Sequence, residues 1–525
     1  MKRRQVGRSS TALVAAAVAI MAASGAAQAE TLVVDTAFQL KTADPAREFE
    51  PTANVFMHAI YQNLVTFSGG DLTKLVPSLA SLPQVSADSE TFTFELDPAA
   101  KFSDGSPVTV DDVIFSLNRV ANVKGSPSFL MDGITVSAGS KPGEVVLTAA
   151  TPDPGLPFKL TNPALAILNS KALKAHGGLD DATASTADKA DAYLATASLG
   201  SGPYILEKFD IASEVDLKRN PAYWGPPAAY DSIVIRNVDN SAQQMNVMRG
   251  TSQIALDLRP DQASSLGKDF NVEEAAGSDI AFLLFNFDPA ISSVTTNKDF
   301  REAVTDAIDY EGVLNIVGDG AQRSGGLVPS MFGGALPGSD GAKQDVAAAK
   351  AALARSGIKD PAVNLAYASD LTKDGVSFSD IAAKLQEDLQ AIGIKVTLQP
   401  SPVSSHLDGY RAGKLEMAVE WWGPDFPDPS DYLLFGPGQL VGLRAGWKAG
   451  AAPDITDLGA KAAVESDPAK RNDLYAAWQK AVNAEGPFIP LFQPATTVVL
   501  AKTLEPLPFN AMWTVDLGAA KPAAK

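Results

Sequence analysis

Between residues 381 and 398 the apolar spacing changes from a helical period to a period of two across a single glycine. Ile381, Leu385, Leu389 and Ile392 recur at three- and four-residue intervals, Gly393 offers the stop, and Ile394, Val396 and Leu398 then alternate. A helix that feeds straight into a strand must lie on the face of that strand's sheet, since each element has one apolar side to bury. Units of this kind build mixed or parallel sheets covered by helices, an α/β fold. Other segments continue the pattern. FTFEL (92–96) alternates as a half-buried strand, and Asp104-Gly105 marks a turn. Thr109 with Asp112 forms a capping-box pattern ahead of a helix that places Val113, Ile114, Leu117 and Val120 on one face. Asn297 or Asp299 can cap a helix reaching to 317, with Phe300, Val304, Ala307 and Ile308 inward. The Ala/Ser/Asp-rich stretch 175–198 reads as a solvated helical or irregular segment, and 517–525 as a low-complexity, frayed tail.

The first 29 residues read as an export signal and stand outside that fold. Lys2, Arg3, Arg4 and Arg8 give a positive start, Ala12 to Ala23 an apolar stretch, and Ala27-Gln28-Ala29 a small-x-small cleavage pattern. The apolar stretch is shorter than the ~20 residues of a spanning helix, so a soluble mature chain is expected from Glu30. No cysteine is present, which excludes a disulfide scaffold, thiolate metal sites, a cysteine nucleophile and a lipid-modified cysteine at the cleavage site. An exported protein without a tether needs an outer barrier to stay near its membrane, which points to the periplasm of a double-membraned bacterium. Without the leader's four basic residues, 39 Lys and Arg face 61 Asp and Glu, a net charge of about −22. Nucleic acid and anionic membranes are thereby disfavoured as partners, since both need basic surface. Roughly 500 mature residues exceed one core and call for two or three domains.

Catalytic patterns are missing. His58, His176 and His406 show no metal-binding spacing and read as surface or packing residues. There is no GxSxG elbow, no GxxxxGK[ST] loop and no GxGxxG fingerprint. Carboxylates do cluster at Asp425, Asp428 and Asp431, in a loop stiffened by Pro424, Pro427 and Pro429 and preceded by Trp421-Trp422. A pair of carboxylates can perform acid–base chemistry, but nothing supplies a second catalytic component. Two tryptophans beside a fixed carboxylate suit the clamping of an organic ammonium instead.

Seven segments in order resemble the periplasmic dipeptide/oligopeptide-binding proteins, the family-5 extracellular solute-binding components of ABC importers. They are IYQNLVTF (60–67), LVPSLASLPQVSADSETFTFEL (75–96), KFSDGSPVTVDDVIFSLNRV (101–120), GSGPYILEKF with LKRNPAYWG (200–225), FNFD with NKDFREAVTDAIDYEGVL (285–314), LQEDLQAIGIKVTLQ (385–399) and WWGPDFPDPSDYLL (421–434). The resemblance implies a bilobed periplasmic-binding-protein fold of type II, in its large three-subdomain form, hinged around a ligand cleft. Its first lobe would comprise 30–62, 199–278 and 490–525 with an inserted subdomain over 63–198. Its second lobe would run over 279–489, with crossovers near 279 and 489. In peptide binders an aspartate following a tryptophan and an intervening pair meets the ligand's α-ammonium, which lands on Asp425 and Trp422, with Trp421 beside them. Arg444 and Arg323 are candidates for the ligand's carboxylate, and Asn286, at the edge of FLLFNFD, for backbone pairing with an extended peptide. Tyr204, Tyr223 and Trp224 are expected to pack cores and corners, and Arg301 to anchor its helix. The implied partners are a peptide or peptide-like amine and the permease subunits of the inner membrane; the chain itself is expected to be a monomer without cofactor. WWGPDFPDP is more aromatic and stiffer than the family pattern, which leaves open a non-peptide solute such as an oligosaccharide or an opine-like conjugate. A hydrolase using the acidic loop is the alternative of another class.

Overall fold

The computed structural model describes residues 30–373 and 375–524. The export signal expected over 1–29 lies outside the described residues. Two mixed sheets organise the chain. In the first, seven strands run in the order Phe270–Ala276, Ala495–Ala501, Ile254–Ala255, Thr31–Thr36, Ser232–Asn237, Glu214–Arg219, Tyr204–Asp210. Thr31–Thr36 is parallel to both neighbours and the other pairs are antiparallel. In the second, six strands run in the order Gln322–Arg323, Phe488–Gln493, Ile280–Phe285, Met417–Trp422, Ala362–Ala368, Lys395–Ser401. A smaller antiparallel sheet of four strands (Gln84–Val85, Thr91–Glu95, Glu144–Ala149, Ile134–Ala138) carries the helix Val110–Val123. The fold is thus α/β and bilobed, with a subdomain inserted in the first lobe's sequence. No helix among the described residues is long and apolar enough to cross a membrane.

The local signals translate directly. Thr109 and Asp112 form a reciprocal capping box, and Phe92 and Phe94 are buried on one face of their strand. The 381–398 pattern becomes the helix Phe378–Ala391, Gly393 at φ +97°, and the strand Lys395–Ser401. Asn297 caps the next helix through the Phe300 N–H, but that helix stops at Ala307. Asp309 caps a second one, Tyr310–Val317, so the stretch expected as one helix is two.

Between the two main sheets the chain crosses twice, at 277–279 and at Pro494, and the crossings are bonded to each other. Gln493 Nε2 donates to the Gly277 carbonyl at 2.6 Å, and the Gly277 N–H donates to the Pro494 carbonyl at 2.8 Å. The boundary expected at 489/490 therefore falls inside the strand Phe488–Gln493. Only Pro494 separates that strand from Ala495–Ala501, so the apolar run gives no other sign of where it leaves one sheet for the next.

Two segments depart from their expected looseness. Within 175–198, Ala184, Ala190 and Leu194 are fully buried. Asp188 pairs there with Arg119 at 2.9 Å while Arg119 makes a bidentate pair with Asp44 at 2.7 and 2.6 Å. At the other end Leu517 and Ala520 are buried and Ala523 N–H donates to the Thr503 carbonyl, so the tail is bonded back onto the first lobe.

Candidate functional site

Strand Met417–Trp422 ends at the boundary between the lobes, and alternation along it sends consecutive side chains to opposite faces. Trp421 packs with the helix-covered face, edge-on to Phe378 at 5.3 Å. Trp422 lies on the other face, edge-on to Phe435 at 5.6 Å. The pair expected to clamp one ligand is therefore split by the pleat, and Trp421 alone lines the cleft.

That cleft is a cavity of about 270 Å³ between the ends of the two sheets. From the first lobe it is lined by Thr36, Glu48, Asn54, Asp257 and Met512 among others, and from the second by Asp279, Trp421, Gly423, Pro424 and Asp425. Ligand clefts at strand ends are where α/β sheets put them. Gly423 permits the close approach of Asp279, since a Cβ there would come within 2.4 Å of its Oδ1.

The proline loop after Trp422 is held from three sides. Asp428 accepts two hydrogen bonds from the Arg471 guanidinium, at 2.8 and 2.7 Å, both side chains being buried. Burial pushes the Asp428 carboxyl up, but the Arg471 hydrogen bonds and charge outweigh it and hold the group below its ordinary value. The Asp425 N–H donates to Asp431 Oδ2 at 2.9 Å. From the inserted subdomain, Asn162 Nδ2 donates to the Asp425 carbonyl at 2.7 Å, and Phe426 is buried in that subdomain's core. The loop thus belongs to one lobe and docks on the other.

Its remaining carboxylates lack such compensation. The Asp425 side chain pairs with no basic group among the described residues; burial lifts its pKa to about 7, with Arg444 pulling the other way. Asp431 is raised as well, by burial and then by the charge of Asp425, with the Trp422 indole N–H opposing. A buried carboxyl that has no basic partner among the described residues favours a positively charged guest.

The other expected residues lie elsewhere. Arg444, half-buried at the end of Leu440–Arg444, lies over the rings of Tyr410 and Trp422, at 4.9 and 5.8 Å from their centroids. Its charge reaches Asp425, but it does not line the cavity. Arg323 is set apart: it stacks on Tyr310 at 3.7 Å, donates to the Ala342 carbonyl and lines a separate cavity of about 790 Å³. Asn286 is fully buried and committed. Its Nδ2 donates to the Gly413 and Leu415 carbonyls and its Oδ1 accepts from the Asp288 N–H, all at 2.9 Å. Because Ile280 pairs with Trp422 and Phe285 with Met417, Asn286 follows the end of its strand away from the tryptophans. That strand is central, bonded on both sides, and offers no edge to a peptide. Arg301 donates to the Thr295 and Thr296 carbonyls, at 3.1 and 2.9 Å, and covers the Phe287 ring, anchoring its helix.

Sequence reasoning missed Asn162, Asp279 and Arg471, which reach the loop only through the fold. It also passed over Glu420, whose charge inside the otherwise apolar AVEWW was a visible signal. Glu420 is wholly buried, with Oε1 at 2.8 Å from Nε2 of the equally buried His406. His58 stacks on Trp513 at 3.9 Å and His176 on Tyr193 at 3.5 Å. Among the described residues no group of three or more His, Asp or Glu could hold a metal ion.

Comparison with known proteins agrees with this architecture. The family model described as bacterial extracellular solute-binding proteins, family 5 (middle), matches residues 74–437. The probable D,D-dipeptide-binding periplasmic protein DdpA of Escherichia coli is 27% identical over 503 residues, covering 93% of each chain. Di/tripeptide-binding protein 2 of Pseudomonas aeruginosa is 27% identical over 513 residues, covering 90% of this chain and 92% of its own. The crystal structure of the ABC transporter substrate-binding protein CtaP of Listeria monocytogenes superposes with a TM-score of 0.80 at 18% identity, over 94% of this chain and 99% of that one. With two lobes, a cleft at their strand ends and a family match spanning most of its length, this chain belongs to the bacterial extracellular solute-binding proteins of family 5.

Proposed function

We propose that the chain is the periplasmic receptor of an ABC importer, capturing a peptide or a peptide-like solute with a free amine and handing it to the permease. The observation that carries this reading is the Asp425 carboxyl, enclosed in the cleft wall, unpaired with any described basic group and flanked by Asp431. An ammonium placed against it exchanges a penalised buried acid for a charge-assisted pair, stronger in a closed cleft than in water. The relatives named for dipeptides and di/tripeptides support the ligand class. Lobe closure about 277–279 and Pro494 brings Asp425 against the inserted subdomain, so a ligand touching both lobes shifts the open–closed equilibrium. The export pattern read over 1–29 supports a periplasmic location, and in this reading the receptor is a monomer that binds and releases its solute.

Mass spectrometry of what the mature protein, purified from the periplasm without refolding, releases on denaturation tests this. Peptides or other solutes with a free amine are expected; recovery of a compound without an amine overturns the ligand class.

Affinity is also expected to depend on pH. Burial raises the Asp425 pKa to about 7 in the unliganded wall, and an ammonium partner pulls it back down, so binding expels a proton below that pH. Affinity therefore rises from pH 5.5 to 7 by up to about tenfold per unit, one proton being released. It falls again above pH ~8 as the peptide's own α-amine loses its charge. Titration calorimetry at four pH values measures the slope, and a profile flat between pH 5.5 and 7 contradicts the role of Asp425.

A further inference from the structure

Two neighbouring residues of the proline loop face different parts of the molecule. Asp425 lines the cleft, whereas Phe426, the next residue, does not. Its ring is 6% exposed and packs into the apolar cluster of the inserted subdomain, which includes Phe94, Leu117, Leu156 and Leu165. Among the described residues, Phe426 is the one member of that cluster that the second lobe contributes.

One short segment of the subdomain builds the seat. The Lys159 ammonium lies 5.3 Å from the centroid of the Phe426 ring and pairs with Asp153 at 2.6 Å. Asn162 Nδ2 donates to the carbonyl of Asp425 at 2.7 Å. Gly155 lets the segment close on the loop, since a Cβ there would come within 3.0 Å of Asp428 Oδ1. Pro424 and Pro427 stand on either side of Asp425 and Phe426 and hold their own φ fixed, while Arg471 anchors Asp428 just beyond. A stiff stretch of chain therefore joins the carboxyl in the cleft to the ring in the subdomain, and neither moves far without the other.

We infer that Phe426 is a positioning residue that latches the closed receptor: it seats in the inserted subdomain when the lobes close, holds Asp425 against the solute, and sets the rate of solute release without touching the solute. This role rests on the reading of the chain as a receptor that closes over a peptide. Opening about 277–279 and Pro494 lifts the second lobe's loop off the subdomain and returns the ring to water. Burial of a phenylalanine ring is among the larger apolar contributions of a single side chain, and here it stabilises the closed form alone. The solute gains affinity from a contact it does not make, because the form it selects includes that contact. An entering solute meets the open form, so the ring acts on dissociation rather than association.

Stopped-flow tryptophan fluorescence with the dipeptides Ala-Ala, Ala-Leu and Ala-Lys, paired with thermal melts, tests the latch on the mature protein. Phe426→Ala should raise the dissociation rate about tenfold or more and leave the association rate within about twofold. Phe426→Leu keeps an apolar plug and should recover most of that loss. Without peptide the ring is already in water, so the melting temperature of Phe426→Ala should match that of the unaltered protein. With saturating peptide it should fall below it. A dissociation rate unchanged by Phe426→Ala overturns the latch. So does a melting temperature lowered as much without peptide as with it, which would make Phe426 a fixed core residue. Failure of the unaltered protein to bind any of the three peptides overturns instead the reading on which the latch rests.

Discussion

Asp425→Ala is expected to weaken binding of an amine-bearing peptide at least tenfold, about 1.4 kcal/mol, while leaving the fold intact. The affinity term follows from the cleft. A ligand ammonium drawn out of water needs a fixed counter-charge, and a mispaired charge in a dehydrated site is penalised by several kcal/mol. Asp431 does not replace it, because it is buried behind the loop and does not line the cavity. The stability term has the opposite sign. The folded Asp425 pKa lies above its unfolded value, so the folded state holds the proton more tightly and stability falls as pH rises from about 4 to about 7. Removing the carboxyl removes that pH-dependent loss, whereas the main-chain bonds from Asn162 and to Asp431 do not involve the side chain. The melting temperature at pH 7 should thus hold or rise. Calorimetry paired with a thermal melt checks both, and unchanged affinity removes Asp425 from the site.

Arg471→Met should produce the largest loss of stability, roughly 3–5 kcal/mol, since it leaves the buried Asp428 carboxylate without its cation. The loop bearing Asp425 is anchored by this pair, so ligand affinity should fall with stability although Arg471 does not line the cleft. Asp428→Asn in the same chain should restore much of the loss, because it removes the stranded charge. Urea unfolding of the wild type, both single variants and the double variant closes the cycle. A loss below about 1 kcal/mol for Arg471→Met would mean that the pair is solvated in solution. The Asp428 pKa is held below its ordinary value, so the pair's contribution is complete at neutral pH and disappears as pH falls through that lowered value.

Much of the fold could be read locally. Thr109 with Asp112, the Asn297 cap and the Gly393 junction depend on neighbours within a few residues, and each forms as its spacing predicts. The failures share a cause. The break at Asp309 restarts a helix whose apolar face continues in nearly the same phase, so periodicity hides it. In 175–198, Asp188 looks like one more solvated acid until Arg119, 69 residues away, is folded onto it.

The sequence by itself determined the helix–strand units, the family and the position of Asp425 in a stiff loop after two tryptophans. These rest on short-range spacing or on motifs spread over the whole chain. Tertiary structure decided which tryptophan meets the cleft, since the pleat turns Trp421 and Trp422 to opposite faces. It also separated Arg323 from the cleft, committed Asn286 to main-chain carbonyls, and brought Asn162, Asp279 and Arg471 to the Asp425 loop. A charge's effect depends on what lies within a few ångströms of it and how much water is excluded there, and both are properties of the folded chain alone.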